Sequence, residues 1–283
     1  METVGVNVTH DASFCRCVNG EIDMFLEEER LSRKKHDNMP VKTVMELQES
    51  NFAGVTGLEY HDYSLRDTCN FFDVIFRKKI PDHDYRTYNQ HHYLHACCGF
   101  YNSGFEEADV VVVDGLGNFF DEENHECATR WHIKKPAEIK LLERQGASRF
   151  GIKTDRHGYW PMGVGMAYAS ISDYLGFGQL GSGKVMGLAP YGKEDPNIKP
   201  FVIDGRVNSK LFYRTKYSAN FIPYDYLPEE VNIKDQRFMN LAYRLQKDFE
   251  KWMTDFILKC ESKNIVLTGG CALNCVANYE YLK

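Results

Sequence analysis

The sequence predicts an α/β fold, and three observations carry that reading. A hairpin-joined set of strands opens the chain, helices alternate with strands after it, and two strands end in glycine turns near residues 114 and 269. Residues 3–8 alternate apolar and polar side chains as a first strand. Phe14–Val18 and Ile22–Leu26 supply two more, and the Asn19-Gly20 dipeptide between them suits a two-residue hairpin turn. Pro40 fits the first turn of a helix that continues through Val44 and Leu47. Val55–Tyr60 is weaker strand material, and His91–Tyr101 reads as helix. Val110–Val113 is an unbroken β-branched run, the pattern of a strand buried on both faces, and Asp114-Gly115-Leu116-Gly117 closes it.

Trp131–Leu142 resumes strand character, and Gly163–Leu175 is a helix bounded by Pro161 and Gly176. Five prolines between residues 190 and 235 predict irregular connections and short strands there. Phe238–Ser262 is the longest helix, with Leu241, Leu245, Phe249, Trp252, Phe256 and Ile257 on one stripe. Ile265–Thr268 is a short buried strand ending at Gly269-Gly270, and a further helix begins at Ala272. Two glycine-ended strands predict two lobes, about 1–145 and about 146–283, facing a ligand across a cleft. That is the arrangement of actin- and sugar-kinase-like (ribonuclease H-like) nucleotide-binding folds.

The bulk numbers exclude some functions. A formal charge of −6 argues against a protein that holds nucleic acid by neutralising phosphates. Nine cysteines without a C-x-x-C pair read as reduced packing thiols, so a cytoplasmic location is expected and a zinc finger is not. The start Met-Glu-Thr-Val-Gly-Val-Asn lacks the basic and apolar regions of a signal peptide. Apolar stretches such as Ala96–Tyr101 are too short to span a bilayer, so no membrane partner is expected.

Chemistry concentrates in a few segments. On a helix, His91 and His95 are four residues apart and face one side, within reach of one ion, while His92 faces elsewhere. Asp114, at the carboxyl end of a buried strand, is a natural third ligand. Solvated or core histidines beside a turn aspartate are the plainer alternative. Gly178-Gln179-Leu180-Gly181-Ser182-Gly183-Lys184-Val185 imitates a phosphate loop, but Val185 stands where a magnesium-binding Ser or Thr belongs, and a helix rather than a strand precedes it. Its glycines and Lys184 can still offer N–H groups and a cation to a phosphate, or form a plain loop. Thr268-Gly269-Gly270-Cys271-Ala272-Leu273-Asn274 joins a buried strand to a helix start, which permits close backbone approach to an anion. Asp114-Gly115-x-Gly117 and His10-Asp11-Ala12-Ser13 sit at analogous strand ends. The basic run Arg33-Lys34-Lys35-His36 reads by itself as a solvated turn.

These segments resemble, in order along the whole chain, the N-terminal domain of the O-carbamoyltransferases that modify nodulation factors and antibiotics. The matching pieces are His10-Asp11-Ala12-Ser13, Glu28-Glu29-Arg30-Leu31-Ser32-Arg33-Lys34-Lys35-His36, His91-His92-x-x-His95-Ala96 and Val113-Asp114-Gly115-x-Gly117. Gly181-Ser182-Gly183-Lys184-Val185-Met186-Gly187-Leu188-Ala189-Pro190-Tyr191-Gly192 and Gly269-Gly270-Cys271-Ala272-Leu273-Asn274 complete them. The resemblance implies an actin-like domain that transfers a carbamoyl group to a substrate hydroxyl. The donor is carbamoyl-adenylate, made from carbamoyl phosphate and ATP by a YrdC-like domain.

It further implies that His91, His95 and Asp114 hold a metal, iron(II) or another divalent ion. Asp11, Ser13, Gly115, Gly117, Gly183, Lys184, Gly187, Gly269, Gly270 and Asn274 fall on the nucleotide side, where magnesium is a further cofactor. His10, Lys35 and His36 are the candidates for orienting the carbamoyl group or the acceptor, a sugar- or nucleoside-like hydroxyl compound. Only thirteen residues follow Gly270, whereas the family continues with a further strand and helix bearing an Asp, then with the YrdC-like domain. The expectation is an incomplete second lobe and a need for that domain or a partner chain. The rival readings are a non-catalytic nucleotide- and metal-binding protein and a sugar-kinase-like phosphotransferase.

Overall fold

A computed structural model describes residues 2–7, 11–46, 54–59, 90–122, 124–148, 155–156, 158–214 and 219–281. They group into two compact units, Met1–Leu94 and His95–Lys283. The division falls inside the helix His91–Ser103, which is one uninterrupted hydrogen-bonded element and is described with the second unit.

In the first unit, strand β1 (Glu2–Asn7) pairs antiparallel with β2 (Ser13–Val18), which pairs antiparallel with β3 (Glu21–Glu27). β4 (Gly54–Glu59) lies parallel to β1, giving the order β3-β2-β1-β4. The turn between β2 and β3 has φ of 53° at Asn19 and 91° at Gly20, the left-handed pair that an Asn-Gly hairpin requires. A short helix α1 (Glu28–Ser32) follows β3 directly and was not expected. Helix α2 (Val41–Glu46) starts after Pro40 as expected; Leu47 lies outside the described residues. Buried Glu28 joins the two helices by accepting the backbone N–H groups of Lys42 (3.1 Å) and Thr43 (2.8 Å).

The second unit begins with α3 (His91–Ser103), then β5 (Glu107–Val113), β6 (Asn124–Lys134) and β7 (Glu138–Ser148). Helices α4 (Val164–Tyr174) and α5 (Ser182–Leu188) follow. The proline-rich stretch forms two small hairpins, β8 (Val202–Ile203) with β9 (Arg206–Val207), and β10 (Phe212–Arg214) with β11 (Ala219–Phe221). The long helix α6 (Gln236–Ile257), strand β12 (Ile265–Thr268) and helix α7 (Cys275–Tyr281) end the chain. The sheet order is β12-β5-β6-β7, with β12 parallel to β5 and the other pairs antiparallel.

Three local expectations are corrected. The strand expected over Trp131–Leu142 is two, because Pro136 has no N–H for the ladder and the chain turns at residues 135–137 to start β7. The glycine-lysine run is not an open loop: Gln179–Gly181 forms a 3₁₀ turn, and Gly183, Lys184 and Gly187 lie on α5. The turning is done earlier, by Gly176 and Gly178 with φ of 78° and 76°. Finally, a 3₁₀ turn at Gly270–Leu273 delays the last helix until Cys275.

The core joins β5 and β6 to α4, α5 and α6. Phe238, Leu241, Leu245, Phe249, Trp252 and Phe256, five of them on the expected stripe, are all buried. Asp235 caps this helix by accepting the Arg237 N–H. Helix α3 packs against β12 so closely that a Cβ on Gly99 would stand 3.1 Å from Val266 Cγ1. The described cysteines are all free thiols. Among the described residues, no helix is long and apolar enough to cross a membrane.

Candidate metal centre and nucleotide segments

Buried β5 delivers Asp114 at its carboxyl end, and α3 delivers His91 and His95 from one face of its first turns. One ligand atom from each of the three lies within 4.8 Å of the others. His95 Nε2 stands 3.4 Å from Asp114 Oδ2, and all three residues are half-buried. His92 is fully buried and belongs to the core, as the helical spacing requires. Two imidazoles and one carboxylate form a donor set that suits iron(II) or a similar divalent ion. The residues therefore fit the implied metal.

Glycines build the cradle around Asp114. A Cβ on Gly165, in the first turn of α4, would fall 2.5 Å from the Asp114 backbone oxygen and 2.9 Å from Cys271 Sγ. One on Gly270 would fall 2.8 Å from Asp114 Oδ1. Gly269 has φ of 88°, and its backbone packs against Val113 in the neighbouring strand. The glycine pair after β12 thus lets this segment pack closely against Val113 and Asp114 of the neighbouring strand end.

The turn after Asp114 is also fixed. Asp114 N–H donates to the Cys127 carbonyl (3.1 Å), Gly117 N–H to the Glu126 carbonyl (2.7 Å), and Gly115 N–H to Asp114 Oδ1 (2.7 Å). The His125 ring, buried against Phe119, bonds the Gly117 carbonyl through Nδ1 at 2.7 Å. Two thiols, Cys127 and Cys271, border the turn. Burial pushes Cys127 up to about 12 and Cys271 well above its ordinary value, with the Asp114 charge adding to the latter.

The expected nucleotide residues differ in their surroundings. Open space surrounds the Cα atoms of Gly115, Gly183 and Gly187, and Lys184 is exposed, its Nζ 5.7 Å from the centre of the Phe177 ring. Asn274 is committed inside the protein. Its Oδ1 accepts the Ala277 N–H (3.0 Å) and Gln246 Nε2 (3.0 Å), and its Nδ2 donates to Gln246 Oε1 (2.9 Å). The Tyr168 hydroxyl joins the same buried pair at 2.7 Å.

In the first unit, Asp11 and His36 come together, with His36 Nδ1 2.7 Å from Asp11 Oδ1. Glu29 joins them by accepting the His36 backbone N–H at 3.1 Å. Ser13 opens β2 and is half-buried, and Lys35 is exposed. His10 lies outside the described residues. The sequence reading assigned no role to Glu29, although it stands in the matching segment Glu28–His36, and it missed His125 and Gly165, of which only Gly165, at a helix start, offered a signal.

The chain is 23% identical to the uncharacterized protein sll1178 of Synechocystis sp. over 341 residues, covering 97% of this chain and 51% of that protein. It is 24% identical to the nodulation protein NolNO of Sinorhizobium fredii over 311 residues, covering 97% and 42%. The chain thus spans about half the length of the curated relatives it matches. Among solved structures, the Lmo2764 protein of Listeria monocytogenes aligns over 100% of this chain and 88% of its own, at 9% identity. Its TM-score of 0.40 is too low to bear on the fold. A family model described as the carbamoyltransferase N-terminus matches residues 71–283, well over half of the chain, and the protein therefore belongs to that family.

Proposed function

We propose that this chain provides the metal-holding and nucleotide-facing part of an ATP-dependent O-carbamoyltransferase. The reaction moves a carbamoyl group from carbamoyl-adenylate, made from carbamoyl phosphate and ATP, to a hydroxyl of a sugar- or nucleoside-like acceptor. The observation that carries the reading is the convergence of His91, His95 and Asp114 within 4.8 Å, in a chain of this family.

A bound divalent ion, iron(II) by its donor set, supplies Lewis acidity toward a carbonyl oxygen. The chain's own residues do the rest. His91 and His95 present two neutral donors from one rigid helix face, and Asp114 offsets part of the ion's charge. The bare backbone at Gly115 leaves room for a ligand to approach, and Lys184 offers a cation to a phosphate. An adenylate is already activated, so no protein nucleophile is required; acceptor orientation and a base for its proton are. A YrdC-like domain or partner chain makes the adenylate, with magnesium accompanying ATP.

Anaerobic purification followed by iron and zinc analysis tests the centre. Wild-type chain should carry close to one equivalent of metal, and His91→Ala and Asp114→Ala should each weaken binding at least about tenfold. Wild-type chain that takes up no divalent ion would end the metal-centred reading.

A further inference from the structure

Strand β2 runs between β1 and β3, and its side chains divide between two faces. Phe14 turns inward and is fully buried, which leaves Ser13, Cys15 and Cys17 together on the other face. Cys15 lies opposite Gly5 of β1 and Phe25 of β3, and Cys17 lies opposite Thr3 and Ile22. Directly paired residues share a face, so Gly5 leaves the lane beside Cys15 without a side chain. Phe25 and Ile22, 58% and 53% exposed, flank the thiols on the other side, and both cysteines are half-buried.

The two sulfurs stand 3.9 Å apart. Residues two apart on a strand are separated by about 6.6 Å of rise, so these side chains converge instead of standing parallel. Three uses compete for such a pair. A thiol–thiol hydrogen bond is weak, because sulfur is a poor donor and a poor acceptor. A disulfide needs sulfurs about 2.05 Å apart and Cα atoms about 4.4–6.8 Å apart, and the strand rise puts this pair at the upper limit. Two thiolate–metal bonds of about 2.3 Å span 3.9 Å when they meet at roughly 115°, so an ion fits without moving the strand. A structural zinc takes four ligands, and among the described residues neither cysteine falls in a set of three metal donors. Two thiolates alone suit a soft monovalent ion.

We propose that Cys15 and Cys17 hold one soft monovalent cation, copper(I), as a two-thiolate site on β2. Each thiol releases its proton to solvent as its sulfur bonds the ion, and no electron is exchanged. The site does not depend on the carbamoyl-transfer reading. It also differs in chemistry from the set His91, His95 and Asp114, whose nitrogen and oxygen donors suit a harder ion.

Copper(I) titration of the reduced full chain under argon, in competition with the chelator bicinchoninate, tests the site. Wild-type chain should take one equivalent from the chelator, and Cys15→Ser and Cys17→Ser should each weaken that uptake at least about a hundredfold. Another close sulfur pair serves as the internal control. Cys275 Sγ lies 3.8 Å from Met186 Sδ in the second unit and offers one thiolate only. Copper uptake lost in Cys275→Ser and kept in Cys15→Ser would overturn the proposal. So would equal uptake by wild-type chain and by the double variant Cys15→Ser, Cys17→Ser.

A second readout needs no variant. Wild-type chain with and without one equivalent of copper(I) is treated with iodoacetamide, and the modified cysteines are located by peptide mass mapping. Copper should protect Cys15 and Cys17 together, whereas Cys98, exposed on α3, should be modified at the same rate in both samples. Cys15 and Cys17 alkylated as fast with copper as without it would overturn the assignment whatever the variants do.

Discussion

Asp114 owes its place to residues that have no side chain. Gly270 leaves room beside the carboxylate that faces His95, and Gly165 leaves room beside the Asp114 backbone carbonyl. Gly270→Ala puts a methyl group 2.8 Å from Asp114 Oδ1, and the carboxylate is the group that must give way. Divalent-metal affinity, read by titration calorimetry, should fall about ten- to hundredfold while the circular dichroism of the fold is kept. The H-x-x-x-H spacing and the strand-end Asp were legible because both depend only on local periodicity. Gly165 was not, since the atoms it avoids belong to residues 114 and 271. Asn274 shows the converse. It sits in a motif that resembles a nucleotide segment, yet its amide is paired with Gln246 and caps α7. A motif match carries no record of which partners already occupy the side chain.

At the scale of the element, amphipathic period decided more than propensity. The stripe on α6 is almost wholly buried as read, and Phe249 is 1% exposed, edge-on to Tyr168. Phe249→Ala removes that ring from the centre of the larger core, and urea unfolding should show a loss of about 3–5 kcal/mol. The Asn19-Gly20 hairpin was equally legible, because a two-residue turn of that type depends on its own φ angles. The β6–β7 hairpin was missed. Its strands carry charged residues at alternate positions, and the turn at 135–137 lacks the usual Asn-Gly signature, so one strand was read where two pair over eleven residues each. Helix α1 is only five residues long, too short for a period to appear.

Across the second unit, distant segments are tied by a buried carboxylate. Asp109, 1% exposed on β5, accepts from His132 Nδ1 (2.8 Å) on β6 and from the backbone N–H groups of Glu261 (2.8 Å) and Ser262 (3.1 Å) after α6. Burial alone would raise its pKa, but these three donors outweigh it and hold the carboxyl below its usual value. The sign follows. A group with a depressed folded-state pKa stabilises the fold above its unfolded pKa, and that contribution is lost as the pH falls through the folded value. Asp109→Asn should cost about 1–3 kcal/mol near neutral pH. The variant should also lose stability less steeply than wild type below about pH 4, which thermal melts across an acid series would measure.

The amino-acid sequence by itself determined the alternation of elements, the buried face of α6, the strand end that carries Asp114 and the helix face shared by His91 and His95. Each of these is set by a repeat of two or 3.6 residues or by one turn dipeptide, and such information is local. Tertiary structure alone decided which residues become neighbours: Gly165 and Gly270 against Asp114, His125 beneath Gly117, Asp11 against His36, and Gln246 against Asn274. Those contacts join residues 8 to 51 positions apart or, at Gly270, more than a hundred. They arise only when buried strands and helices pack at close range, where a single Cβ or one hydrogen bond decides whether a side chain is available for chemistry.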